Sequence, residues 1–218
     1  MIDASLDHES ARRAYGRLGT ALDFVSRYED FATRRLIKHA RLAQAERVFE
    51  FGCGTGRFAQ RALESHLSSD ASYIAFDVTP EMVQITKSRV ARFGNRVQIQ
   101  LSDGSPPRGE HSASYDRFIS NYVFDLLSED DIRAVLAEAY RILRPGGLLC
   151  LSGLAPAQGV LSRICTGLWS VVYKHRPAWV GGCRPITLLP FLNENLWRLE
   201  HHGFVVPLGF PLEVVIAE

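Results

Sequence analysis

Three glycines stand at alternate positions at the end of an apolar run, Val48-Phe49-Glu50-Phe51-Gly52-Cys53-Gly54-Thr55-Gly56. Because glycine has no Cβ, a loop of this kind lets the backbone approach a bulky ligand closely. A dinucleotide-binding loop has the spacing G-x-G-x-x-G, and its third glycine opens the helix that receives a pyrophosphate. Here the third glycine comes one residue early, and Arg57 takes its place. The loop therefore predicts close contact with a ligand, in a register that disfavours a nicotinamide oxidoreductase.

Acidic residues end the next two strand-like segments. Asp77 closes the apolar run 73–77, and Asp103 follows the alternating run 97–101. A fourth candidate strand, 115–121, ends in small polar residues. Each acid has a simpler interpretation, Asp77 as the cap of a helix and Asp103 as part of a turn. Their joint placement after consecutive strands instead predicts a shared ligand site at the carboxyl edge of an open α/β sheet.

This ordered set resembles the class I S-adenosylmethionine-dependent methyltransferases over residues 45–153. The resemblance implies that Glu50 and the three glycines surround the methionine part of the cofactor, that Asp77 holds the ribose, and that Asp103 takes the adenine amino group. It extends to a turn at 144–147 before the fifth strand and to the segment 120–124, which is similar to quinone-biosynthesis and lipid methyltransferases. The implied S-adenosylmethionine site comprises Glu50, Gly52, Gly54, Gly56, Asp77, Val78, Met82, Ser102, Asp103, Gly104 and Asn121.

The resemblance also implies the fold, an α/β Rossmann-like seven-stranded sheet that is mostly parallel, with an antiparallel last strand and flanking helices. We expect one domain over residues 1–218, of a size that buries a full core. Its predicted parts are a helical front piece (1–44), a cofactor-binding core (45–153), an insertion or acceptor lid (154–190), and a closing helix and hairpin (191–218). The hairpin strands are predicted at 204–206 and 212–216.

Capping signals predict where three helices begin. Asp30 is the candidate N-cap of a helix through Arg41, with Phe31 on its inner face and basic residues outside. Thr79, which precedes a proline, and Ser128, which precedes three acids, are predicted to cap the next two helices. The second of these helices is predicted to run to about residue 143.

Methyl transfer from a sulfonium needs no metal, and it needs a general base only when the acceptor is protonated. The candidates for that base are Tyr15 and Tyr28, because the resemblance implies front helices that fold over the acceptor. Further tyrosine and histidine candidates are Tyr122, His111, His175 and His201.

The insertion 154–190 is rich in apolar and aromatic side chains, including Trp169. It is interpreted as an acceptor pocket or lid, as a contact with a membrane interface, or as an amphipathic helix that covers one edge of the sheet.

Composition sets outer limits on the function. With 46% hydrophobic and 22% charged residues, the chain is typical of a globular protein. Its net charge of +1 gives no general attraction to nucleic acid. The four cysteines have no C-x-x-C spacing, so no zinc or other metal site is expected. No leader is recognised, and the expected location is cytoplasmic. The basic residues at 34–41 are interpreted as a solvated helix face, and the alternative is a peripheral contact with anionic lipid at the inner membrane face.

The predicted function is methyl transfer from S-adenosylmethionine to a small, apolar acceptor that is quinone-like, phenolic or lipid. Two alternatives stay open, N-methylation of a phospholipid head group and a non-catalytic module that binds S-adenosylmethionine. The acceptor and the oligomeric state are not determined by the sequence.

Overall fold

Seven strands form a single sheet in the computed structural model, which describes residues 22–159, 162, 163, 165–167, 171 and 183–218. The spatial order of the strands is β3-β2-β1-β4-β5-β7-β6, and all are parallel except β7, which is antiparallel to both of its neighbours. This confirms the predicted fold class. The strands are β1 (Arg47–Phe51), β2 (Ser72–Asp77), β3 (Val97–Leu101), β4 (Tyr115–Asn121), β5 (Leu143–Leu154), β6 (Leu199–Val205) and β7 (Leu212–Ala217).

Helices cover both faces of the sheet, as parallel strands require. The first three α-helices contribute to the core cluster on one face, and the fourth contributes to the cluster on the other. The α-helices are α1 (Leu22–His39), α2 (Arg57–Ser65), α3 (Pro80–Val90) and α4 (Glu129–Ile142). Short 3₁₀ turns lie at Leu42–Gln44, Ala91–Arg96, Phe124–Leu126, Leu189–Phe191 and Pro207–Gly209.

The predicted start of the front helix is wrong. Asp30 lies inside α1, and its carboxylate pairs with Arg61 at 3.2 Å and Arg57 at 3.8 Å instead of capping the helix. Phe31, expected to face inward, is 55% exposed, whereas Leu36 is fully buried. The role of Asp30 is therefore determined by a contact between α1 and α2, which the sequence pattern of a single helix does not reveal.

Arg117 of β4 anchors the C-terminal end of α1. Its side chain is 6% exposed, and its guanidinium donates to the carbonyl oxygens of Ala40 at 2.6 Å and Arg41 at 2.9 Å. A buried guanidinium needs such partners to offset its desolvation. The front helix is therefore tied to the central strand of the sheet.

The other two capping signals lie where helices begin. Thr79 precedes Pro80 at the start of α3, although its side chain makes no capping bond to a helix amide. Ser128 Oγ accepts the Asp131 amide at 3.1 Å at the start of α4. The fifth strand begins directly at Leu143, so the predicted turn at 144–147 is an irregularity in the pairing of β5 with β4 rather than a separate connection.

The predicted closing helix is also wrong. Among residues 191–198, all of which the structure describes, no α-helix forms; a 3₁₀ turn and a second turn lead directly into β6. Pro190 lacks an amide hydrogen, and Asn193 accepts the Asn195 amide at 2.9 Å, which favours a turn over a helix. The two hairpin strands are confirmed, with β6 starting earlier than predicted.

Several predicted features fall outside the described residues. They are Tyr15, His175, Trp169 and most of the insertion, while only the backbone of Tyr28 is described, within α1. None of the helices in the described part of the chain combines the length and the apolar character needed to cross a membrane.

Candidate functional site

The glycine loop leaves β1 and folds against the end of β2. The amides of Gly52 and Cys53 both donate to the Phe76 carbonyl, each at 2.9 Å. Gly52 has a φ of +79°, and a Cβ added to it would stand 2.3 Å from Cγ2 of Val123. The first glycine is therefore required by the protein's own packing against the residues that follow β4.

Gly54, the middle glycine, borders open space. Its φ is +51°, and an added Cβ would meet no atom of the described residues within 4 Å. Its amide donates to Asp77 Oδ2 at 2.7 Å, and its carbonyl accepts the Thr86 hydroxyl at 2.7 Å. The backbone of Gly54 is thus held through both its amide and its carbonyl, and no described residue fills the position where its side chain would project. Such a cradle fits the close approach of a ligand.

Asp77 is more buried than a strand-end acid was expected to be. It is only 8% exposed, because its two oxygens accept the amides of Gly54 and, at 2.9 Å, Thr79. Burial raises the pKa of the Asp77 carboxyl, and these hydrogen bonds oppose that rise. The acid thus fixes the glycine loop and the start of α3 together. A carboxylate has about four acceptor positions, so two amide donors leave capacity for ligand hydroxyls.

The acid after β3, Asp103, is exposed and lies two residues beyond Leu101, which pairs with Asp77 in the sheet. Asp103 Oδ1 accepts the Ser105 amide at 2.9 Å, which forms a turn, as the simpler interpretation predicted. The Ser102 amide donates to the Asp77 carbonyl at 2.8 Å, and the Gly104 amide donates to Ser102 Oγ at 3.1 Å. The structure therefore brings 102–104 to the edge that carries the glycine loop.

Glu50 lies beneath the loop, out of contact with solvent. It is 1% exposed, and the Tyr73 hydroxyl donates to its carboxyl group at 2.7 Å. Burial raises the pKa of Glu50 to about 8, the Tyr73 and Asn121 side chains oppose the rise, and the charge of Asp77 adds to it. Glu50 is therefore mostly protonated at neutral pH. Its position supports the strands under the loop.

Asn121 ends β4 at the same edge. Its Oδ1 accepts the Ser152 hydroxyl of β5 at 2.7 Å, and its side chain lies close enough to the Glu50 carboxyl to oppose the rise of that group's pKa. Val78 is partly buried, and Met82 is 1% exposed and packs in the interior. Gly56 is buried, and an added Cβ would stand 2.7 Å from the Thr86 side chain.

The candidate bases are scattered. His111 lies in the loop before β4, at the edge opposite the glycine loop. His201 is on the outer strand β6, where it stacks on His39 at 3.7 Å and accepts from Arg35 Nε at 3.1 Å. Burial and these neighbouring cations lower the pKa of His201. Of the described candidates, Tyr122 is the one that follows β4 directly at the carboxyl edge.

Sequence reasoning missed three residues of this site. Thr86 of α3 binds the Gly54 carbonyl, Tyr73 of β2 satisfies Glu50, and Val123 packs on Gly52. The parallel pairing of β1 with β2 indicates the contact of Tyr73 with Glu50. Val48 lies opposite Tyr73, and Glu50 is therefore diagonal to Tyr73 on the same face of the sheet. Thr86 and Val123 have no comparable signal. Within the described ranges, no group of three His, Cys, Asp or Glu side chains could hold a metal ion, and none of the four cysteines forms a disulfide bond.

Comparisons with known proteins agree with this geometry. Residues 48–147 match the methyltransferase domain family. A demethylmenaquinone methyltransferase of Tropheryma whipplei (strain Twist) is 30% identical over 138 residues, which is 63% of this chain and 53% of that protein. A malonyl-[acyl-carrier protein] O-methyltransferase of Erwinia pyrifoliae is 26% identical over 209 residues, 95% of this chain and 72% of that protein. The chain spans about half the length of the first curated relatives it matches.

Solved structures share the fold. The cyclopropane synthase MmaA2 of Mycobacterium tuberculosis superposes with a TM-score of 0.72 at 14% identity, over 99% of this chain and all of its own. A geranyl diphosphate C-methyltransferase of Streptomyces coelicolor, solved with S-adenosyl-L-homocysteine, gives a TM-score of 0.65 at 14% identity, over 87% of this chain and 79% of that one.

Proposed function

We propose that this chain transfers a methyl group from S-adenosylmethionine to a small acceptor, since its residues 48–147 match the methyltransferase domain family. The observation that carries the proposal is the space beside Gly54 that no described residue fills, next to the carboxylate of Asp77. It lies at the carboxyl edge of the parallel strands, where open α/β sheets bind ligands.

The residues at this edge fit the cofactor by their chemistry. Asp77 has acceptor capacity left for the two ribose hydroxyls, and its bond to the Gly54 amide couples ribose binding to the shape of the loop. Asp103, exposed at the end of β3, would take the adenine amino group. Glu50 is buried, so we assign it to support of the loop rather than to contact with the ligand.

The sulfonium of the bound cofactor supplies an activated methyl group. The protein then contributes mainly position, since holding the acceptor in line at contact distance is by itself worth several kcal/mol. Asp77 accepts the amide of Gly54 and Thr86 donates to its carbonyl, so the protein's own side chains hold the backbone of the loop. A proton that leaves the acceptor would pass to a base that the described residues do not identify.

A quinone-like, phenolic or lipid acceptor is the proposed class. The relatives named for demethylmenaquinone and malonyl-[acyl-carrier protein] support a small or carrier-bound acceptor. A tRNA N(3)-methylcytidine methyltransferase of Schizosaccharomyces pombe, 27% identical over 105 residues, makes RNA the competitor to test.

Calorimetric titration with S-adenosylmethionine and with NAD tests the cofactor. We expect the first to bind and the second not to bind; binding of NAD alone would overturn the proposal. Incubation with methyl-labelled cofactor and a metabolite extract, or with total tRNA, then tests transfer by mass spectrometry. Label in a small molecule supports the proposal, label in tRNA alone contradicts it, and cofactor binding without any transfer favours the non-catalytic module.

A further inference from the structure

Tyr122 has a backbone conformation that L-residues avoid. Its φ is +57°, in the left-handed region, where Cβ crowds a carbonyl oxygen. For a bulky residue such a φ is an outlier, and glycine would adopt it without strain. Backbone strain of this kind concentrates at ligand-binding and catalytic positions. A simple turn therefore does not explain why a tyrosine, rather than a glycine, occupies this position.

The neighbours of Tyr122 place it beside the glycine loop. Val123, the next residue, fills the position that a Cβ on Gly52 would occupy. The amide of Tyr122 donates to the Ser152 carbonyl of β5 at 2.8 Å. Tyr122 thus lies between the loop that borders the open space and the end of the adjoining strand. It is the residue at which the chain turns away from the sheet.

The surroundings of Tyr122 are apolar. The residue is partly buried and packs against the core cluster on the α1 face. That cluster includes Leu154 and Leu212, which end β5 and begin β7 at the same edge, and Val205 also packs against it. An aromatic ring presents a flat apolar surface with one polar tip, which suits stacking or edge contact with another ring.

We infer that Tyr122 is an acceptor-binding residue, and that its strained backbone is retained to present the phenol ring to a planar aromatic acceptor such as a quinol or phenol. This inference rests on the proposed function and names the group that receives the acceptor. The left-handed φ directs the chain so that Val123 closes on Gly52 of the glycine loop while Tyr122 packs against the core cluster on the other side. Two consecutive residues, Tyr122 and Val123, then connect the site of the methyl acceptor with the site of the methyl donor.

Three variants test the inference. Tyr122→Gly relieves the strain and removes the ring, and Tyr122→Phe keeps the ring. Ala113→Gly is the matched control, because Ala113 has a φ of +50° in an exposed loop at the opposite edge of the sheet. For each protein, thermal unfolding gives Tm, and calorimetry gives Kd for S-adenosylhomocysteine and then for naphthohydroquinone on the S-adenosylhomocysteine-saturated protein.

We expect Tyr122→Gly to weaken naphthohydroquinone binding by about three- to tenfold, the range of an aromatic contact, with unchanged affinity for S-adenosylhomocysteine. Tyr122→Phe and Ala113→Gly should bind the probe like the wild type. Wild-type affinity for the probe in folded Tyr122→Gly would overturn the inference, as would a wild-type protein that binds S-adenosylhomocysteine but not the probe. Failure of the wild type to bind S-adenosylhomocysteine would instead overturn the proposed function and this inference with it. If Tyr122→Gly does not fold, Tyr122→Asn replaces it, because asparagine tolerates the left-handed region.

Discussion

Replacing Asp77 by Asn tests whether one carboxylate organises the cofactor site. The two oxygens of Asp77 accept the Gly54 amide at 2.7 Å and the Thr79 amide at 2.9 Å. An Asn side chain offers one oxygen and one NH₂ group, so one of the two backbone amides must lose its acceptor. Asn nearly preserves the volume, whereas Ala would leave both amides without an acceptor.

The expected magnitude follows from these bonds. A hydrogen bond to a charged group contributes roughly 1.5–3 kcal/mol, so S-adenosylhomocysteine affinity should fall about ten- to a hundredfold. The stability loss should be smaller, about 1–2 kcal/mol, because Asn also removes the cost of burying a charge. Protonation of Asp77 should weaken ligand binding in the wild type. Because burial raises the pKa of the Asp77 carboxyl, this weakening should begin at a higher pH than it would for an aspartate with an ordinary pKa. The Asn variant should lack that dependence.

Calorimetry with S-adenosylhomocysteine and urea unfolding monitored by circular dichroism provide both numbers. Asp70→Asn is the matched control, because Asp70 is exposed in the loop before β2, at the opposite edge of the sheet. It removes the same charge and should change neither quantity. Wild-type affinity in a folded Asp77→Asn protein would refute both the ribose assignment and the coupling of Asp77 to the loop.

Three further predictions concern the same edge. Gly54→Val should abolish methyl transfer with a nearly wild-type circular dichroism spectrum, because it places a branched side chain in the open space at a φ of +51°; an active variant would mean that no ligand approaches there. Burial raises the pKa of Glu50 from 4.5 to about 8, so the folded state keeps a proton that the unfolded state loses. The free energy of unfolding should therefore fall as the pH rises between these two values, by up to about 5 kcal/mol. Urea unfolding of Glu50→Gln should lack this decline, and parallel pH profiles for the two proteins would contradict the assignment. Asp103→Ala should weaken S-adenosylhomocysteine binding by about 1–2 kcal/mol in calorimetry with Tm nearly unchanged, since Asp103 is exposed; an unchanged Kd would remove Asp103 from the site.

Signals that act locally were predictable from the sequence. The glycine spacing, the strand-ending acids and the alternating apolar runs predicted β1 to β4 and the edge they share, because strand periodicity and turn chemistry depend on near neighbours. Ser128 marked the start of α4 for the same reason. The resemblance to a known family supplied the ligand and the antiparallel last strand.

Contacts between distant segments could not be predicted in this way. The Asp30 side chain looked like a cap, but the arginines of α2 reach it from outside its own helix. Phe31 was placed inward on periodicity, whereas the packing of α1 on the sheet turned that face to solvent. Asn193 and Pro190 replaced the closing helix by turns.

The sequence by itself thus determined which residue types stand at the ends of the strands, because strand periodicity and glycine spacing are local patterns along the chain. Only the tertiary structure determined how deeply these residues are buried, in which direction their pKa values shift and which backbone conformation they adopt. Asp77 is buried between two backbone amides, and Glu50 is shielded under Tyr73, because residues far apart in the chain exclude water from both. The strained φ of Tyr122 likewise appears only when β4, β5 and the glycine loop are packed together. Burial, pKa and backbone strain are properties of that packing.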